Sequence, residues 1–269
     1  DDRGAREAVS LLARRRADIA LIPYGETAQG PYQLLSYKAA SGVASFSLAG
    51  LDTRFELHVP GKHLALDASA AIALAVCILG DFRGAKGDYV PTAAELAALS
   101  KSLASFSGSK RRSEILGEAG GVLFMDDYGH HPTAIRDTIA GIKAFWPERR
   151  LIVDFMSHTY SRTAALFDEF SACLDGADRI VLHKIYPSAR ETPDPEVSGR
   201  KLYEAVRARR GKAREGGEAE VSYYEEVMDA LPELREELRG GDLFLTMGAG
   251  DNFRLGEALL ADRKTREGA

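Results

Sequence analysis

Apolar positions recur along this chain with helical spacing in some stretches and as short strand-like runs in others, and the order of the two changes near the middle. Residues 5–15 have helical spacing. Residues 17–23, 32–38, 43–47 and 53–59 are short β-rich runs separated by glycine-containing turns, which predicts strands at one side of a sheet. An apolar helix is predicted over 64–79, a polar loop over 81–90, and a second helix over 91–103 opened by Pro91-Thr92. A boundary follows near Ala104. Beyond Gly121 the pattern is strict alternation, with strands near 122–126, 150–155, 178–183, 220–222 and 242–247 and helices near 133–145, 162–174, 199–209, 225–238 and 252–261. Such alternation predicts an α/β fold with a doubly wound, mostly parallel sheet, whose ligand crevice lies at the carboxyl ends of the strands.

Composition changes this picture little. The chain has 269 residues, enough for two domains, here 1–104 and 105–269, and a formal net charge of −5 with acids and bases interspersed. That argues against a nucleic-acid surface and permits a local anion site. Cys77 and Cys173 sit in apolar helical patterns as small core residues, which suits a reducing cytoplasm. The longest apolar run, 68–79, is interrupted by Ser69 and falls short of a membrane span, so no membrane partner is expected. The charged run 207–220 reads as a solvated helix end and loop. Asp1-Asp2-Arg3-Gly4 has neither an initiator Met nor signal-peptide character, which suggests a fragment of a longer protein.

Candidate chemistry gathers on the predicted strand-to-helix turns. Met125-Asp126-Asp127-Tyr128-Gly129-His130-His131-Pro132-Thr133 places two carboxylates and two imidazoles before a helix start. If the strand continues, Asp126 and Asp127 point opposite ways, one toward the crevice, where a carboxylate can accept ribose hydroxyls; helix capping and a zinc site are the alternatives. Thr133 adds a short polar side chain near the first helical amides. Ser157-His158-Thr159-Tyr160-Ser161-Arg162-Thr163 joins an imidazole and a guanidinium to a helix start and suits a carboxylate or phosphate. Thr246-Met247-Gly248-Ala249-Gly250-Asp251 follows a strand, where Gly248 and Gly250 either admit a ligand's close approach or form a tight turn. Ile185 to Glu191 makes a fourth turn on the same edge. Arg111-Arg112 sits at the domain junction, and His63 follows Pro60-Gly61-Lys62 at a helix start. No Gly-x-x-x-x-Gly-Lys-Ser/Thr phosphate loop occurs in the chain.

Together Val59-Pro60-Gly61-Lys62-His63, Phe106-x-Gly108-x-Lys110-Arg111-Arg112, Asp126 to Thr133, His158-x-Tyr160-Ser161-Arg162-Thr163 and Met247 to Asp251 resemble the Mur ligases, in particular the branch that adds alanine. The resemblance implies the latter part of a central ATPase domain, with its phosphate loop before Asp1, followed by a complete Rossmann-like third domain. It implies ATP and Mg2+, with UDP-N-acetylmuramate and L-alanine joined through an acyl phosphate in cytoplasmic peptidoglycan synthesis, and a fragment inactive alone. By position, Arg112, Asp127, His63 and Asp67 would serve ATP, while Tyr128, His130, His158 and Arg162 would border the amino acid. Asp126, His131, Gly248 and Gly250 would support them. The sequence has Leu64 and Asp67 where the family usually has asparagines, which implies altered adenine recognition, and Thr159 where it usually has a second basic residue. A murein-peptide recycling ligase of the same superfamily and a non-catalytic nucleotide-binding module are the alternatives.

Overall fold

The computed structural model describes residues 3–16, 18–85, 89–189, 191–192, 194–213 and 221–268. It divides into two compact units, Asp1–Ser107 and Gly108–Ala269. The division falls beyond Ala104 because the amides of Ser105 and Phe106 still bond back onto the carbonyls of Lys101 and Leu103 at the end of the preceding helix.

In the first unit α1 (Arg3–Arg15) precedes an antiparallel sheet in the order β1 (Leu34–Ala40), β2 (Val43–Leu48), β3 (Leu51–Leu57). Alternation along β2 turns Ala44, Phe46 and Leu48 inward, and Phe46 stacks on Phe55 of β3 with ring centroids 5.5 Å apart. Of the predicted run 17–23, residues 18–23 form no strand, and residue 17 lies outside the described residues. Ile19, Leu21 and Ile22 are exposed and no strand pairs with them; β-propensity without a ladder partner does not make a strand.

Helix α2 (Lys62–Phe82) packs on β1 and β2 through Ala65, Ala68, Ile72, Ala73 and Val76, a stripe at helical spacing. It is longer than the predicted 64–79. By length and composition it could cross a membrane, contrary to the sequence expectation, yet that stripe is buried in the core of the first unit. Residues 86–88 of the predicted 81–90 loop lie outside the described residues. Helix α3 (Ala93–Ala104) starts after a capping box, in which the Glu95 amide donates to Thr92 Oγ1 (3.3 Å) and the Thr92 amide to Glu95 Oε2 (2.9 Å).

The second unit is an α/β fold on a six-stranded sheet in the order β4 (Glu114–Ala119), β5 (Val122–Asp127), β9 (Asp242–Gly248), β6 (Arg150–Met156), β7 (Arg179–His183), β8 (Val221–Tyr224). Only β4, which the sequence pattern did not suggest, runs antiparallel, to β5; the other neighbours are parallel. Alternate residues of each strand feed opposite cores. Leu123, Met125, Val153, Phe155 and Leu245 meet α4 (Pro132–Phe145), α6 (Phe167–Cys173) and α7 (Gly199–Ala213) on one face. Val122, Phe124, Ile152 and Phe244 meet α8 (Leu231–Glu237) and α9 (Phe253–Glu267) on the other.

The predicted helix 162–174 is two helices, α5 (Tyr160–Ala165) and α6, because Leu166 leaves helical geometry with φ −125° and ψ 30°. The predicted helix 225–238 likewise begins with a 3-10 turn, Val227–Ala230, before α8. Residues 214–220 of the charged run lie outside the described residues. Cys173 is buried in the core, which pushes its thiol up to about 12; Cys77 is only half-buried on α2, against the expectation of a core position.

Candidate active site

Parallel pairing brings Asp127, Met156, His183, Tyr224 and Gly248 to one edge of the second unit's sheet, the carboxyl ends of five strands. Because β4 runs the other way, it begins at this edge: Glu114 pairs with Asp126, so the segment Lys110–Ser113 arrives beside the same turns. Arg111 (φ 56°) and Ser113 (φ 47°) adopt left-handed backbone conformations there, which turns consecutive side chains to different surroundings.

Both aspartates are buried, where alternation predicted that one would face the crevice. Asp126 is buried, accepting from Arg111 Nε (2.7 Å) on one oxygen and from Thr246 Oγ1 (2.7 Å) on the other. Burial raises its carboxyl above the ordinary value and outweighs the lowering by Thr246 and Arg111. Asp127 is buried too. Its Oδ2 accepts from the Ser113 amide (2.7 Å) and hydroxyl (3.3 Å) and its Oδ1 from the Gly129 amide (2.7 Å). A carboxylate offers about four acceptor positions, so these three donors leave one of them open.

Arg111, which the sequence offered only as a pair with Arg112 and without a role of its own, is the organiser of this corner. Besides Asp126 it donates to the Gly248 carbonyl (2.9 Å), and its guanidinium lies 5.1 Å from the Tyr128 ring and 4.9 Å from the Phe253 ring. The alternation of inward and outward residues about Arg111 leaves Arg112 exposed, 5.9 Å from the Tyr128 ring, with no acid partner among the described residues.

The His130 ring packs edge-on to Tyr128 (5.3 Å), and its Nδ1 lies 3.0 Å from the Tyr128 carbonyl. A carbonyl only accepts, so Nδ1 is the nitrogen that carries a proton, and the tautomer this selects has its lone pair on Nε2. His131, not Thr133, caps α4: its Nδ1 accepts from the Thr133 amide (3.3 Å), and Pro132 takes the first helical position, where a missing N–H costs nothing.

On the next parallel strand but one, the turn after β6 holds His158 and Arg162. Arg162 Nη1 donates weakly to the His158 carbonyl (3.4 Å) and faces His158 Nδ1 at 3.5 Å, and it has no acid partner among the described residues. Burial lowers the His158 imidazole below its ordinary value, and the neighbouring Arg162 and His130 add to this against an opposing effect of Glu191. Thr159 caps the turn, its Oγ1 accepting from the Arg162 amide (3.4 Å). The His158 ring stands 6.0 Å from the Tyr186 ring, in the turn after β7. These two turns border a cavity of about 910 Å³ whose lining includes Met156, His158, Lys184, Tyr186, Asp251 and Arg254.

Gly248 (φ 130°) has no room for a side chain, since a Cβ would fall 2.3 Å from the Met156 carbonyl oxygen. The close approach is thus to the chain's own neighbouring strand. A Cβ at Gly250 would meet the Met156 sulfur at 2.4 Å, in the flexible end of that side chain.

Beneath the edge lies a polar cluster that no sequence signal marked. His183 Nε2 is 2.6 Å from Asp154 Oδ1 and Nδ1 is 3.1 Å from the Tyr224 carbonyl. Both neighbours only accept, so both ring nitrogens carry protons and the ring is an imidazolium. Burial alone would lower its pKa, but the Asp154 charge and the hydrogen bonds to Asp154 and Tyr224 outweigh it and the net shift is upward. Asn252 Nδ2 closes the cluster by sharing its two N–H donors among Asp154 Oδ2 (2.8 Å), the Asp154 carbonyl (3.0 Å) and the Met247 carbonyl (3.2 Å). Four strand ends, β6, β7, β8 and β9, are tied together at one point.

His63 and Asp67 belong to the first unit, one turn apart on the same face of α2. His63 is half-buried and Asp67 exposed; the exposed Lys62 beside His63 pairs with Glu26 (2.5 Å). Among the described residues no three His, Cys, Asp or Glu side chains are grouped to hold a metal ion, so neither the zinc alternative nor a protein-built Mg2+ site is supported by the donors present.

Several comparisons bear on this edge. A protein from Treponema pallidum (strain Nichols) named UDP-N-acetylmuramate–L-alanine ligase is 49% identical over 260 residues, covering 96% of this chain and 51% of that protein. One of the same name from Geobacter sulfurreducens is 35% identical over 265 residues, covering 97% and 51%. The chain spans about half the length of the curated relatives it matches. The solved structure of a UDP-N-acetylmuramate–alanine ligase from Thermotoga maritima has the same fold, with a TM-score of 0.64 at 23% identity, covering 88% of this chain and 47% of that one. The family model described as "Mur ligase, glutamate ligase domain" matches residues 111–250, from the organising Arg111 through the turns after β5, β6, β7 and β9 to Gly250. Because that match takes in more than half of the chain, the chain belongs to the Mur ligase family.

Proposed function

We propose that this chain is the carboxyl-terminal half of an ATP-dependent carboxylate–amine ligase that joins L-alanine to UDP-N-acetylmuramate in cytoplasmic peptidoglycan synthesis, serving cell-wall growth, cell shape and division. The observation that carries the reading is Arg162, a guanidinium without an acid partner among the described residues, set beside a neutral His158 at the carboxyl edge of a parallel sheet. The names of the relatives supply the substrates.

The guanidinium of Arg162 donates a forked pair of hydrogen bonds to the alanine carboxylate, a geometry for which it has free donors. His130 presents the Nε2 lone pair, an acceptor for a proton of the alanine ammonium, which must be lost before the nitrogen can attack. Arg112 is the exposed cation for nucleotide phosphates, and the one remaining acceptor position of Asp127 suits a ribose hydroxyl. ATP transfers its γ-phosphoryl group to a muramoyl carboxylate oxygen, releasing ADP. The alanine nitrogen then attacks the carbonyl carbon, the C–O bond to phosphate breaks, and the nitrogen's proton leaves to a base. Mg2+ would accompany the nucleotide. His63 and Asp67 are the nucleotide-side candidates of the first unit.

The acyl-phosphate route predicts an isotope transfer. With the complete gene product carrying this chain and UDP-N-acetylmuramate labelled with 18O in its carboxylate, alanine-dependent turnover should deliver one label to inorganic phosphate. Phosphate free of label, with product formed, would contradict this chemistry.

A further inference from the structure

We propose that Glu191 is a positioning residue for acceptor binding: from the turn after β7 it fixes the His158–Arg162 turn in the conformation that aims the guanidinium at the acceptor's carboxylate. The inference rests on the reading of Arg162 given above. Glu191 Oε2 accepts from the Tyr160 amide (2.9 Å), and Oε1 accepts from the Ser161 amide (2.9 Å) and hydroxyl (2.5 Å). The same two turns are laced by a pair of backbone bonds, Thr159 amide to Tyr186 carbonyl (3.0 Å) and Tyr186 amide to Ser157 carbonyl (2.8 Å).

Thr159 shows why such a clamp is needed. It has φ 69° and ψ 135°, a conformation disfavoured for a β-branched residue, and persists only where its surroundings over-determine it. The peptide between Thr159 and Tyr160 directs the Tyr160 amide at Glu191, and α5 with Arg162 starts from there. Without the carboxylate the amides of Tyr160 and Ser161 lose their acceptor, the backbone at Thr159 is free to return to negative φ, and Arg162 moves away from His158. The hydrogen bonds from Ser161 and Tyr160 hold the Glu191 carboxyl below its usual range, so the clamp is charged at neutral pH.

The test uses the complete gene product. In Glu191→Gln one oxygen is replaced by an NH2 group that faces a backbone N–H. KM for L-alanine should rise about tenfold, while kcat and the KM values for ATP and UDP-N-acetylmuramate stay within about twofold. Ser161→Ala, which removes only one donor to the same carboxylate, should shift alanine KM the same way by less. Unchanged alanine KM in Glu191→Gln, or an equal rise in all three KM values, overturns the inference and leaves the role of Arg162 standing. A wild-type protein that consumes no ATP in response to L-alanine overturns both.

Discussion

Replacing His183 by alanine is expected to destabilise the second unit by about 3–5 kcal/mol, the range for removing one partner of a buried ion pair. Asp154 and His183 are both fully buried, so the substitution leaves the Asp154 carboxylate with Asn252 alone and no countercharge in contact. The loss should also depend on pH in a defined direction. The folded-state value of His183 is raised above the ordinary 6.5, so the ring's contribution is complete below that value and disappears as pH rises through the folded-state value. Urea unfolding of wild type and variant should therefore show a stability gap that is widest in mildly acidic buffer and narrows on the alkaline side. A gap that grows with pH would mean that the buried ring is neutral and that the hydrogen-bond assignment at Tyr224 is wrong.

Arg162→Ala is expected to produce the largest functional effect, a rise in alanine KM of about 30–150-fold, corresponding to the loss of about 2–3 kcal/mol of charge-assisted hydrogen bonding. Arg162→Lys should recover only part, because an ammonium supplies a point charge without the forked geometry. Steady-state kinetics on the complete gene product decides it. If ATP KM rises more than alanine KM, the guanidinium belongs to the nucleotide.

The strand–helix alternation was legible because parallel strands buried on both faces are near-continuous apolar runs, such as Leu151 to Phe155 and Leu243 to Leu245. β4 was not, since an edge strand reading Glu114-Ile115-Leu116-Gly117-Glu118-Ala119 needs only one buried side and carries glutamates and a glycine. The opposite error at 17–23 arose because apolar residues there have no partner strand. Within the site, the turns after β5 and β6 could be placed on one edge by topology alone. Which of Arg111 and Arg112 faces inward could not, because it depends on the positive φ angles at Arg111 and Ser113. The cluster of Asp154, His183 and Asn252 joins residues from three separate strand ends, and Glu191 acts on a helix start from a different turn; neither leaves a local pattern.

The most direct measurement is the acceptor preference of the complete gene product carrying this chain, assayed as ADP release with ATP and UDP-N-acetylmuramate. ADP and an alanylated sugar nucleotide should form in equal amounts with free L-alanine, and neither should form when a murein tripeptide is the only acceptor. Turnover with the tripeptide and none with alanine would contradict the proposed function and assign the chain to peptide recycling.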